Sequence, residues 1–270
     1  MNSAPIISDY HSPARKIGRA ARAAPEAFFY LKLLKIVLSA GRTARRGEYT
    51  GEQWIQSSRL TLAALESVGI TVSIENTASF INLPSPCVLA GNHMSILETF
   101  LLPGIIQPHR DVTFVVKESL LAYPFFGCVL SSRNPIVVSR RNPRQDLEIV
   151  LREGEKRLRR GTSIILFPQT TRSPVFSPGE FNSLGVKLAR RAGAPVIPIA
   201  IKTDAWGTGK WVKDLGKISP RIPVHITFGD PIPVTGSGRG AQERIIRFIS
   251  GRLGEWEKLN GEDSTLNVQR

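Results

Sequence analysis

Cys87-Val88-Leu89-Ala90-Gly91-Asn92-His93-Met94-Ser95-Ile96-Leu97-Glu98 reads as an apolar strand, a short turn, and the start of a helix that runs from about Ser95 to Ile106. The turn carries a histidine, and a carboxylate follows five positions on. A second stretch repeats the arrangement: the apolar run Ile164-Ile165-Leu166 leads into Phe167-Pro168-Gln169-Thr170-Thr171-Arg172-Ser173. Functional groups that follow buried strands in this way are the mark of an α/β sheet, in which sites gather where strands end. A five-residue step along a regular helix turns about 500°, which would leave His93 and Glu98 some ~140° apart. The two can meet only if His93 lies in the turn and Glu98 reaches back from the helix, with Ser95 placed to cap it.

Outward from these stretches, strand-like and helical runs alternate. Ile70–Ile74, Val112–Val116, Ile136–Val138, Ser163–Phe167, Val196–Ile201 and Val224–Phe228 read as strands. Between them fall a short helix through Leu120-Leu121, a helix from Asn142-Pro143 (a cap and an N1 proline) to Arg160, and helices over Asn182–Arg191 and Ala241–Lys258. The prediction is an α/β fold: a central, largely parallel or mixed sheet flanked by helices, with an N-terminal helical pair. The pair comprises a helix from Pro25 and a second from about Glu52 to Val68, stopped by Gly69. Residues 1–24 are expected to form a mobile basic arm, 25–69 the helical segment, 70–259 the main domain, and 260–270 a disordered tail.

Charge narrows the partners. Thirty-six Lys and Arg against 22 Asp and Glu give a net charge of +14, which favours anionic company. Lys32, Lys35, Ser39, Arg42 and Arg46 recur at three- and four-residue steps and form one stripe on the first helix, whose remaining circumference is apolar. That pattern suits a helix lying on an anionic phospholipid surface, and equally one packed on the domain with its charges in water. No basic region followed by an apolar core opens the chain, and no apolar run reaches the ~20 residues of a spanning helix. A peripheral place on the cytoplasmic side of a membrane is expected. Two cysteines, Cys87 and Cys128, are too few for a disulfide framework and read as reduced thiols. His11, His109 and His225 show no ligand-like clustering, so no metal is expected. A nucleic-acid partner is disfavoured: the four tryptophans are scattered and no reading motif is present.

Taken in order, the motifs resemble the glycerolipid acyltransferase family that includes the 1-acylglycerol-3-phosphate acyltransferases. The resemblance covers roughly residues 85–202. His93 and Glu98 stand for the family's histidine and acidic residue, Asn134-Pro135-Ile136-Val137-Val138-Ser139-Arg140 for its second block, Phe167 to Arg172 for its third, and Ala194-Pro195-Val196-Ile197-Pro198-Ile199 for its fourth. Lys117 matches a basic position before the second block.

The resemblance implies a direct acyl transfer, with no protein nucleophile. His93, steadied by Glu98, would deprotonate the hydroxyl of a lysophospholipid, most simply lysophosphatidic acid. The donor would be an acyl thioester on coenzyme A or acyl carrier protein, a co-substrate rather than a cofactor. Lys117, Arg140 and Arg172 would hold the acceptor's phosphate, and Asn92, Gln169, Thr170 and Thr171 would shape the acceptor side. Leu101, Leu102, Tyr123, Phe125 and Phe126 are available to line an acyl groove, though core packing is the better explanation for each.

Three departures stand out: Glu98 for the usual aspartate, Gln169 for a glutamate, and Thr170 for a glycine. The last two leave the acceptor open, to another lysolipid or to a lipid-linked amino acid or sugar. They also leave open a family member that binds lipid without turnover. Contact between His93 and Glu98 discriminates that case.

Overall fold

A computed structural model describes residues 8–169, 171–209 and 213–266, the last seven of these by backbone only. The elements, in chain order, are β1 (Tyr10–His11), α1 (Arg19–Ala23), α2 (Pro25–Arg45), α3 (Gly51–Ser67), β2 (Val72–Glu75), α4 (Ala78–Ile81), β3 (Val88–Gly91), α5 (Leu97–Ile106), β4 (Val112–Lys117), α6 (Phe126–Ser132), β5 (Ile136–Val138), α7 (Pro143–Arg159), β6 (Ser163–Leu166), α8 (Leu184–Ala192), β7 (Val196–Lys202), β8 (Val224–Phe228) and α9 (Arg239–Leu266). The strands form one mixed sheet ordered β1-β2-β8-β7-β3-β6-β4-β5. All neighbours run parallel except β1 with β2 and β7 with β8.

β3 lies between β6 and β7, with Ala90 opposite Leu166 on one side and Pro198 on the other. Its alternate side chains enter two separate cores. Leu89 joins Ile165, Ile197 and Ile199 under α2, α3 and α5, whereas Val88 and Ala90 join Ile164, Leu166 and Val196 under α7, α8 and α9. Burial on both faces is why these strands read as unbroken apolar runs. The helix ends follow the sequence signals. Asn142 Oδ1 accepts the N–H groups of Arg144 and Gln145, with Pro143 in the first turn. A capping box of Thr50 and Gln53 starts α3, and Gly69 ends it at φ +97°. Gly104 lets α5 approach α3 closely: a Cβ there would fall 2.6 Å from that of Ser58.

The segment from Tyr10 on contacts the sheet: β1 pairs with β2, and the buried Glu66 needs partners. Glu66 receives the Tyr10 hydroxyl at 2.5 Å and that of Ser12 at 2.7 Å, and pairs with Arg15 at 3.3 Å. The tail expected to be disordered from Asn260 continues α9 to Leu266, and residues 267–270 lie outside the described ones. The short helix through Leu120 is a 3-10 turn over Glu118–Ala122.

Candidate active site

His93 leaves the C-terminal end of β3, and α5 begins four residues later. The chain bends there as the sequence requires, and Glu98, in the first turn of α5, reaches back to His93. Nδ1 lies 2.8 Å from Glu98 Oε1. The same carboxylate accepts the N–H groups of Met94 at 2.7 Å and Ser95 at 3.0 Å, and its second oxygen takes the Thr203 hydroxyl at 2.7 Å. Ser95 contributes doubly: its hydroxyl contacts Glu98 Oε2 at 3.2 Å and accepts the Leu97 N–H at 3.0 Å. Glu98 is fully buried. Burial alone would push its carboxyl up; the imidazole and the Thr203 hydroxyl outweigh that and hold it below its ordinary value.

An ionised carboxylate only accepts, so the proton between the two groups belongs to Nδ1. Nε2 then carries a lone pair and meets no partner among the described residues. The ring is stacked on Phe167, centroids 4.4 Å apart and 6° from parallel. Its position is fixed through the main chain as well. Gln169 Oε1 accepts the His93 N–H at 2.8 Å, and His93 O accepts the Ser173 N–H at 2.9 Å. Gln169 is buried, and its Nε2 has no partner among the described residues. Asn92 works structurally: its amide exchanges two hydrogen bonds with the main chain of Ile201, at 2.7 and 2.9 Å, and ties the turn to β7.

The basic residues follow in strand order. Going outward from β3, the ends of β6, β4 and β5 lead to Arg172, Lys117 and Arg140 respectively. Strand spacing near 4.8 Å puts the end of β5 about 15 Å from that of β3, within reach of long cationic side chains acting on one ligand. Lys117 and Arg140 are exposed. Arg140 stands at φ +58°, in a turn held by Asp146, whose carboxylate accepts the N–H of Ser139 at 2.9 Å and of Arg140 at 2.7 Å. Arg172 pairs with Asp214 at 2.6 Å. Thr171 is exposed, and Thr170 lies outside the described residues.

The family model described as Acyltransferase matches residues 70–202, the span that holds every one of these groups except Thr203 and Asp214. Residues 70–202 are an acyltransferase domain. The chain is 34% identical over 177 residues to the 1-acyl-sn-glycerol-3-phosphate acyltransferase of Pseudomonas aeruginosa, covering 65% of this chain and 64% of that one. It is 32% identical over 132 residues to a chloroplastic protein of the same name from Brassica napus, covering 48% and 36%. The chain thus spans less than two thirds of either relative. The solved structure of the 1-acyl-sn-glycerophosphate (LPA) acyltransferase PlsC from Thermotoga maritima superposes with a TM-score of 0.68 at 19% identity, over 88% of this chain and 97% of that one. That likeness is one of fold.

Beside Phe167 and His93 lies a narrow apolar cleft with a cavity volume of only about 40 Å³, partly open to solvent, between α2, α3, α5, β4 and α6. Ile36, Val37, Trp54, Phe100, Phe114 and Phe126 line it. Phe114 stacks on Phe167, whose ring in turn stacks on His93, so one aromatic row joins the cleft wall to His93. Of the residues available to line an acyl groove, Phe126 lines this cleft. Leu101 and Leu102 are buried in the core, Tyr123 is exposed, and Phe125 lies under the Arg45 guanidinium. Thr203 and Asp214 escaped the sequence reading. Neither belongs to a local pattern; both reach the site from the segment after β7, more than 100 residues from His93.

Proposed function

We propose that the chain transfers a fatty acyl group from a thioester, on coenzyme A or acyl carrier protein, to the free hydroxyl of lysophosphatidic acid, giving phosphatidic acid. His93 Nε2 takes the hydroxyl proton as the oxygen attacks the thioester carbonyl. The tetrahedral intermediate collapses, the C–S bond breaks, and the imidazolium returns the proton to the departing thiolate. Glu98 stays ionised throughout, fixing the tautomer and stabilising the imidazolium. Arg172, Lys117 and Arg140 receive the phosphate.

The observation that carries this reading is the 2.8 Å contact of His93 with a buried carboxylate, which leaves Nε2 open at a strand end next to a row of cations. The contact also favours turnover over mere lipid binding. A peripheral membrane site is part of the proposal. No helix among the described residues is long and apolar enough to cross a membrane. The α2 helix packs Phe29 and Leu33 inward yet exposes Leu31 and Leu34 beside Lys35. Those leucines and cations suit shallow insertion among anionic headgroups.

The test is thiol release from palmitoyl-coenzyme A and from acyl carrier protein thioesters, with lysophosphatidic acid in detergent, for wild type and His93→Ala. Acceptor-dependent release that vanishes in the variant is expected. Release with other lysolipids alone would move the acceptor; no release with either donor would overturn the reading.

A further inference from the structure

Asp214 is placed where a substrate anion belongs. It meets Arg172 at 2.6 Å, and both side chains are more than three-quarters buried, at 18% and 24% exposed. The pair is therefore only partly screened, unlike an ion pair fully in water. Its segment is held from several directions. Gly207 N–H donates to Lys217 O, Ser219 N–H donates to Ala205 O, and Trp206 bridges to Ile218. From α2, the Tyr30 hydroxyl donates to Gly216 O at 2.5 Å, and Glu26 Oε1 accepts the Ile218 N–H at 3.3 Å. Trp206 is boxed edge-on by Phe29 and Tyr30 and stacks against Phe100. One excursion from the end of β7 thus begins at Thr203, which holds Glu98, and carries Asp214 to Arg172.

We propose that Asp214 is an internal stand-in for the acceptor's headgroup: it holds Arg172 until an acceptor's anion displaces it, and that displacement raises KM for every acceptor that uses Arg172. The proposal rests on Arg172 serving the acceptor's phosphate. A phosphate monoester near neutral pH carries between one and a half and two negative charges, roughly, and three strong acceptor oxygens, so it outcompetes a single carboxylate for a guanidinium. A phosphodiester, with one charge shared by two free oxygens, binds the guanidinium less well, but the cost of displacing Asp214 is the same for both acceptors.

The experiment compares kcat/KM for lysophosphatidic acid and lysophosphatidylglycerol in the full chain, in mixed micelles, for wild type, Asp214→Asn, Asp214→Glu, Arg172→Ala and the double variant Arg172→Ala/Asp214→Asn. Asp214→Asn is expected to lower KM for both acceptors by a similar factor, about tenfold, the scale of a partly buried charge pair. Asp214→Glu returns KM toward the wild-type value, and the double variant gains nothing over Arg172→Ala.

If Asp214 only braces its segment, Asp214→Asn leaves KM unchanged or raises it for both acceptors, and the inference is overturned. If instead Arg172→Ala leaves KM for lysophosphatidic acid untouched, the assignment of Arg172 fails, and the inference goes with it. The two failures give different results.

Discussion

The two ends of the site are built by opposite rules. At the β3 end the polar groups are largely buried and, apart from His93 Nε2 and Gln169 Nε2, engaged: Glu98 accepts from five groups, Asn92 makes two main-chain bonds, and His93 is held by ring, N–H and carbonyl. At the β4 and β5 end, Lys117 and Arg140 are exposed residues at neighbouring strand termini. The contrast follows from the two tasks. Proton transfer depends on hydrogen-bond geometry, and an error of 1 Å costs about a hundredfold. Charge attraction falls off gently with distance, so an anion can be gathered by flexible cations that order only on binding.

If the rigid end does the chemistry, its loss gives the largest effect. His93→Ala should lower kcat by about 10³-fold, within the range of a lost general base, with little change in KM. A drop under tenfold in thiol release would mean that the base lies elsewhere. Glu98→Gln comes next, at about 10²-fold in kcat. A glutamine amide offers one accepting oxygen where five donors converge, so the variant also leaves buried N–H groups unmatched. A stability loss of about 1–3 kcal/mol is expected in denaturant melts.

Thr203→Val tests the same end more gently. Glu98 is held below its ordinary value, so the stability it contributes is complete above the unfolded-state value near 4.5 and is lost as pH falls through the lower folded value. Removing the Thr203 hydroxyl raises the folded value and narrows that window. The variant should lose about 1 kcal/mol at neutral pH. Below pH 4.5 its Tm should converge on that of wild type. A Tm difference independent of pH would show that Thr203 acts by packing alone.

How much of this contrast the chain discloses follows the same division. The apolar run Val88–Ala90, the bend at Asn92 and the contact of His93 with Glu98 were legible because they are local: one strand, one turn, one helix start. The strand order that aligns Arg172, Lys117 and Arg140 was not legible from spacing, since each follows its own strand and sheet order is a tertiary property. Thr203 lies in a run with no catalytic signature, and Asp214 in a segment of ordinary loop composition. Their roles arise from what β7 is placed beside. The contact of Tyr10 with Glu66 was not legible for a related reason, because Glu66 lies more than 50 residues away and reads as a routine helix carboxylate.

The smallest expected effects belong to the open end, and salt separates them from the rest. Lys117→Gln and Arg140→Gln each remove one charge while keeping a polar side chain. At an exposed site a pair of unit charges about 4 Å apart is worth about 1 kcal/mol, or roughly fivefold in KM for lysophosphatidic acid. Exposed charges are screened over about 8 Å at physiological ionic strength and about 3 Å at 1 M salt, so each penalty should shrink toward nothing as salt is raised. The kcat defect of His93→Ala should not move, because it has no comparable charge term. Should the Lys117→Gln penalty persist undiminished at high salt, that lysine would have to be desolvated in the complex. The open end would then close around its ligand, and the division between a rigid base and a solvent-borne clamp would hold only for the free protein.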